Sequence, residues 1–106
     1  MASSPDGFLA EVVRAISERL ADDALRGSLQ LTFPLHGTII VSGRRVGVAC
    51  ASDEAFQADA VLRTSEETMR EILSRDETVV TRYMANELEI DGDMGVALMF
   101  SAFLQR

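Results

Sequence analysis

The closing stretch "DMGVALMFSAFL" restricts the fold more than any other part of the chain. From Met94 onward, Val96, Ala97, Leu98, Met99, Phe100, Ala102, Phe103 and Leu104 put apolar side chains on nearly every side of a helix. A surface helix of a soluble domain keeps one polar face, so a helix apolar all round needs a cover of protein, membrane or ligand. A bilayer fits poorly: the run falls short of the roughly 18–20 apolar residues needed to span one, and Ser101 interrupts it.

A chain of 106 residues is long enough for one domain with one core. Its ten arginines, no lysine and seventeen acidic residues give a net charge of −7. No concentrated basic patch is visible, which argues against nucleic acid, and anionic membranes should repel the chain as a whole. Cys50 is the only cysteine, so no intramolecular disulfide can form. The start "MASSPDGFLAEVV" lacks the basic beginning and long apolar run of a secretory signal. These features lead us to expect a soluble, cytoplasmic chain with a flexible N-terminus at 1–6 and one domain over 7–106.

Asp6 can cap a helix in which Phe8, Leu9, Val12, Val13, Ile16 and Leu20 recur at helical spacing. The segment "ADDALRG" continues or restarts it, with Gly27 as its stop. The period then becomes two. Leu29, Leu31, Phe33 and Leu35 alternate with polar residues and Pro34, as in a half-buried strand. "GTIIVSG" and "RRVGVACAS" read as a hairpin turning at Gly43 and Arg44, and "ADAVLRTS" follows the turn "DEAFQ" as a fourth strand. Short connections predict an antiparallel meander. Ser65 caps "EETMREILSRD", "ETVVTRYMANE" is a short helix carrying Val80, Tyr83 and Met84, "ELEIDG" is a fifth strand, and Asp93 caps the closing helix. The expected class is α+β: a five-stranded, mainly antiparallel sheet with helices on one face.

Residues for chemistry are sparse. His36, the one histidine, sits in the turn "PLHGT" and reads as a solvated turn residue. Cys50, among Val46, Val48 and Ala51, reads as a small apolar side chain in a strand. No zinc ligand set has plausible spacing, and neither Gly43 nor Gly47 opens a helix as a phosphate loop would. "ELEIDGDMG" fails the spacing of a calcium loop, so Glu87, Glu89 and Asp91 read as a solvated acidic face. We find no case for an enzyme and expect no cofactor or metal.

"ADAVLRTSEETM", "VVTRYMANELEI" and "DGDMGVALM" together resemble the signature of the sterol carrier protein type-two (SCP-2-like sterol-binding) domain family. That signature runs through an Ala-Asp opening a strand, a Ser-capped helix, a short helix ending in Phe/Tyr-Met, and a Lys-Leu-x-Ile-x-Gly-Asn/Asp-Met-Gly-x-Ala segment. The resemblance covers residues 7–104 and is specific from Ala58 onward. Ile39 stands about where a tryptophan is common. Ala85-Asn86-Glu87 replaces Ser-Gly-Lys, and Phe100 stands near a position that is often polar, so the family's headgroup contacts are not transferred.

The resemblance implies an SCP-2-like sterol carrier fold with an apolar tunnel between sheet and helices, holding a lipid beside the closing helix. An empty void of about 400 Å³ would cost ~10 kcal/mol at ~24 cal/mol per Å³. Total stability is only ~5–15 kcal/mol. A ligand, water or collapsing side chains must therefore fill such a tunnel, and the methionines are flexible enough to collapse. The expected lining is Leu31, Phe33, Val48, Leu62 and Ile90 from strands, and Met69, Leu73, Tyr83, Met84, Met99, Phe100 and Phe103 from helices.

The leading expectation is a non-catalytic carrier of a fatty acid, acyl-CoA, isoprenoid quinone or sterol, in transient contact with membranes. One alternative is an interaction module that forms a homodimer or docks onto an enzyme of lipid metabolism. Another is a small hydrolase or isomerase using Asp59, His36 or a carboxylate of Glu87, Glu89 or Asp91.

Overall fold

Apolar positions three to four residues apart produce α1 (Gly7–Leu20), the first element of the computed structural model, which describes residues 7–50, 56–74 and 76–106. Residues 1–6, including the expected cap Asp6, lie outside the described residues. The helix buries Phe8, Leu9, Val12, Ile16 and Leu20. It ends at Leu20, because Ala21 turns left-handed (φ 52°). The segment "ADDALRG" therefore does not prolong it. Gly27 lies inside β1 (Leu25–Phe33) at φ 107°, where the pairing to β2 shifts register between Leu25 and Ser28.

Leu29, Leu31 and Phe33 of β1 are buried and alternate with half-exposed neighbours, as the period of two requires. The chain returns antiparallel through β2 (Gly37–Gly43) and β3 (Arg45–Val48), turning at Gly43 and Arg44. The expected meander ends there. β4 (Ala60–Arg63) does not pair with β3; it crosses over and pairs in parallel with the other edge of β1. This register sets Ala60 beside Leu29 and Leu62 beside Leu31, so the buried rows of both strands fall on one face. The sheet order is β3-β2-β1-β4-β5, with β5 (Glu89–Gly92) antiparallel to β4. One parallel pairing among four leaves the sheet mainly antiparallel. Residues 51–55, part of the crossover and of the expected turn "DEAFQ", lie outside the described residues. β3 is left as an edge, and Val48 is 47% exposed. Cys50 stands beyond its end and is exposed, not a buried strand residue.

Two sequence motifs meet at the start of the parallel pair. Asp59 Oδ2 accepts the Ser28 N–H at 2.9 Å, and the Asp59 N–H donates to Ser28 Oγ at 3.0 Å. The Asp59 carbonyl accepts the Asp93 N–H at 2.8 Å. Gly92 between them has φ 89°, and a Cβ there would lie 2.4 Å from that carbonyl oxygen. Asp93 in turn caps α4 (Met94–Leu104), its Oδ1 accepting the Val96 N–H at 3.2 Å.

The helices cover the face that carries Leu29 and Leu31, and one cluster joins α1, α2 (Glu66–Leu73), α4 and the sheet. α4 turns Val96, Ala97, Phe100, Ser101, Phe103 and Leu104 inward. Met94, Leu98 and Ala102, one helical turn apart, are exposed. The all-round apolar helix is thus covered on its inner side and carries an apolar outer stripe. The short α3 (Val79–Met84), capped by Thr78, buries Val79 and exposes Val80, Tyr83 and Met84, contrary to the expected inward face.

Candidate functional site

The parallel pairing of β1 and β4 fixes where a cleft can form. Thr32 lies opposite Arg63, and the Thr64 N–H donates to the Thr32 carbonyl at 3.1 Å, so both strands finish side by side. Ser65 then caps α2 directly, its Oγ accepting the Thr68 N–H at 3.1 Å. β1 meanwhile stops at Phe33 because Pro34 offers no N–H. The chain reverses with the His36 N–H on the Phe33 carbonyl at 2.8 Å. The β1–β2 turn and the first turn of α2 therefore face each other across a cleft of about 620 Å³.

The β1–β2 turn lines this cleft with Phe33, Pro34, Leu35 and His36, and the start of α2 lines it with Ser65, Glu66, Glu67 and Arg70. Leu35, expected to point inward from the strand, is instead 93% exposed on the turn. Phe8 stiffens the site from behind. Its ring meets Phe33 edge-on at 5.0 Å and lies 4.8 Å from the ring of His36, and the Arg70 guanidinium rests 5.1 Å above it. His36 is thus half-buried and packed, not solvated, with Nε2 2.9 Å from Glu66 Oε1. Arg70 donates from Nε to Glu66 Oε2 at 2.9 Å and from Nη2 to Glu11 Oε1 at 3.1 Å. The hydrogen bond it donates to Glu66, then the one it donates to Glu11, holds the guanidinium above its ordinary range, so it stays charged.

The expected lining residues separate into three groups. Phe33 lines the cleft. Leu31, Leu62, Met69 and Phe100 are fully buried in the packed core, Phe103 lies at its margin, and Leu73, Ile90 and Met99 pack half-buried against it. Val48, Tyr83 and Met84 are exposed, Met84 at 76%. The groups weighed for hydrolysis are dispersed: His36 is in the cleft, Asp59 is at the opposite end of the strand pair, and Glu87, Glu89 and Asp91 face solvent. Sequence reasoning missed Pro34, Leu35, Ser65, Glu66, Glu67 and Arg70 as neighbours, although Ser65 as a cap was readable. Among the described residues, no group of three or more His, Cys, Asp or Glu side chains is placed to hold a metal, and no helix is long and apolar enough to cross a membrane.

The family model described as the SCP-2 sterol transfer family matches residues 11–105. Among solved structures, a UbiJ-SCP2 ubiquinone synthesis protein is 19% identical, with 91% of each chain covered and a TM-score of 0.67. Sterol carrier protein 2 like 2 from Aedes aegypti is also 19% identical, with 89% of this chain and 94% of that one covered and a TM-score of 0.67. Sterol carrier protein domain 2 of Helicoverpa armigera is 15% identical, with 99% and 97% covered and a TM-score of 0.71. No curated protein matches the sequence. A family match across nearly the whole chain, joined to the same fold in these neighbours, establishes that this chain belongs to the SCP-2 sterol transfer family.

Proposed function

We propose that the chain binds a lipid by its apolar part at the β1–β2 turn and carries it through the cytoplasm without chemical change. The observation that supports this is the cleft itself. At about 620 Å³ it lies within the ~300–1,000 Å³ usual for small-molecule sites, and Phe33, Pro34 and Leu35 give it apolar lining. In this proposal the cleft is the mouth, and the lipid tail passes Phe33 into the space between sheet and helices. The expected inner lining must part to admit it: Leu31, Leu62 and Ile90 on the sheet side, Met69, Leu73, Met99, Phe100 and Phe103 on the helix side. Met69 and Met99 are the natural movers, since an unbranched thioether repacks at low cost. Each methylene buried returns ~0.8 kcal/mol toward that rearrangement. The ligand classes that suit are long-chain acids and their thioesters, sterols and isoprenoid quinones; the structural likeness to a ubiquinone synthesis protein keeps the last in view.

Two measurements test this. Native mass spectrometry of gently purified protein should show a co-purifying lipid. A Leu35→Asp variant, altered at a side chain that is almost fully exposed, should stay folded and lose about tenfold in affinity for an uncharged fluorescent lipid probe, the loss of roughly one leucine contact. Unchanged affinity in the folded variant would move the mouth elsewhere.

A further inference from the structure

Thr64 joins the end of the parallel strand pair to α2, and nothing around it in the protein accounts for its hydroxyl. β4 buries Ala60 and Leu62 and turns Arg63 outward. The Thr64 N–H continues the ladder by donating to the Thr32 carbonyl at 3.1 Å, so alternation carries the Thr64 side chain to the helix side, beside Phe33. The residue is 4% exposed, and its Oγ1 is buried with no hydrogen-bond partner among the described residues. Arg82 Nε shares that condition but has a Glu77 carboxylate oxygen 3.6 Å away. A stranded hydroxyl costs free energy that an apolar side chain of the same shape would not. The local rule favours the apolar choice as well. Ser65 is the cap of α2, so Thr64 holds the place before the cap, where a hydrophobic residue commonly packs on the fourth residue of the helix, here the fully buried Met69. Valine would fill that place and strand nothing. A local rule broken without a visible gain marks a candidate functional position. Phe33 beside it and Ser65 after it both line the cleft, so Thr64 stands directly behind the lining, where the lipid is proposed to pass. A chain entering there meets a hydroxyl that can donate and accept.

We propose that Thr64 is a ligand-binding residue: its hydroxyl donates a hydrogen bond to a ketone, ester or ether oxygen carried by the stretch of lipid just inside Phe33. This rests on the cleft being the lipid site. The test compares Thr64→Val, which keeps the shape and removes the hydroxyl, with Thr64→Ser, which keeps the hydroxyl. Each protein is titrated with methyl heptyl ketone and with nonyl chloride, a chain of similar length whose halogen is a poor acceptor, in displacement of an uncharged fluorescent probe. The ratio of the two affinities should fall about three- to tenfold in Thr64→Val, the loss of one neutral hydrogen bond, and stay near the wild-type value in Thr64→Ser. The urea midpoint of ligand-free Thr64→Val should equal or exceed that of the wild type, because the hydroxyl it lacks had no protein partner. A lower midpoint, or failure to fold, would mean that the fold itself or a structural water uses the hydroxyl, and would overturn the proposal. So would an affinity ratio that Thr64→Val leaves unmoved. Displacement by neither compound from the wild type would remove the cleft as a lipid site, and the anchor with it.

Discussion

Gly92 has no room for a side chain: a Cβ would sit 2.4 Å from the Asp59 carbonyl oxygen, and φ is 89°. Gly92→Ala should therefore cost about 2–4 kcal/mol, from left-handed strain and a backbone clash that no rotamer relieves. Gly47 is the control, since nothing lies within 4 Å of a Cβ there, and Gly47→Ala should stay within about 1 kcal/mol. Urea denaturation of both variants checks the difference. The motif around Gly92 was readable as a strand end and a helix cap, but its closeness to Asp59 was not, because that contact joins residues more than thirty positions apart. His36 and Cys50 show the same limit in opposite directions. A turn suggested a solvated histidine until Phe8 and Glu66 arrived from elsewhere in the chain. A β-rich neighbourhood suggested a buried cysteine, yet the strand stops two residues earlier.

Element boundaries followed local signals well where a cap or period was present. Ser65 and Asp93 start α2 and α4, and the alternation of β1 holds from Leu29 to Phe33 but fails at Leu35, where the strand has ended. What local pattern could not supply was partner choice. A strand with alternating apolar residues suits either edge of β1, and the edge it takes decides that α2 begins beside the β1–β2 turn. The cleft was illegible for that reason. For α4, composition announced an apolar helix but could not say which stripe would stay uncovered. The assigned faces make a sharp prediction: Leu98→Glu, at a position 47% exposed, should change stability by no more than about 0.5 kcal/mol. Phe100→Glu, fully buried two residues on, should cost more than about 4 kcal/mol, because the carboxylate finds no water. Thermal and urea midpoints of the pair distinguish the faces directly.

For the whole molecule, a net charge of −7 acts on any approach to a membrane. Near an anionic surface each acidic residue loses on the order of 1 kcal/mol, so lipid transfer to anionic vesicles should be slower than to neutral ones. Salt should narrow the gap, since the field decays over a Debye length of ~8 Å at physiological ionic strength. Transfer rates across a salt series check this, and faster transfer to anionic vesicles would refute it. Distance along β1 adds a last consequence. The Asp59–Ser28 lock, from which α4 departs, and the cleft beyond Phe33 are separated by five residue steps of one strand, roughly 17 Å at about 3.3 Å each. The apolar outer stripe starts at Met94, beside the lock. The start of the uncovered stripe and the proposed lipid cleft therefore lie at opposite ends of the same strand. A contact made over Met94 would leave the proposed mouth at Leu35 open to solvent, because the two stand a strand's length apart.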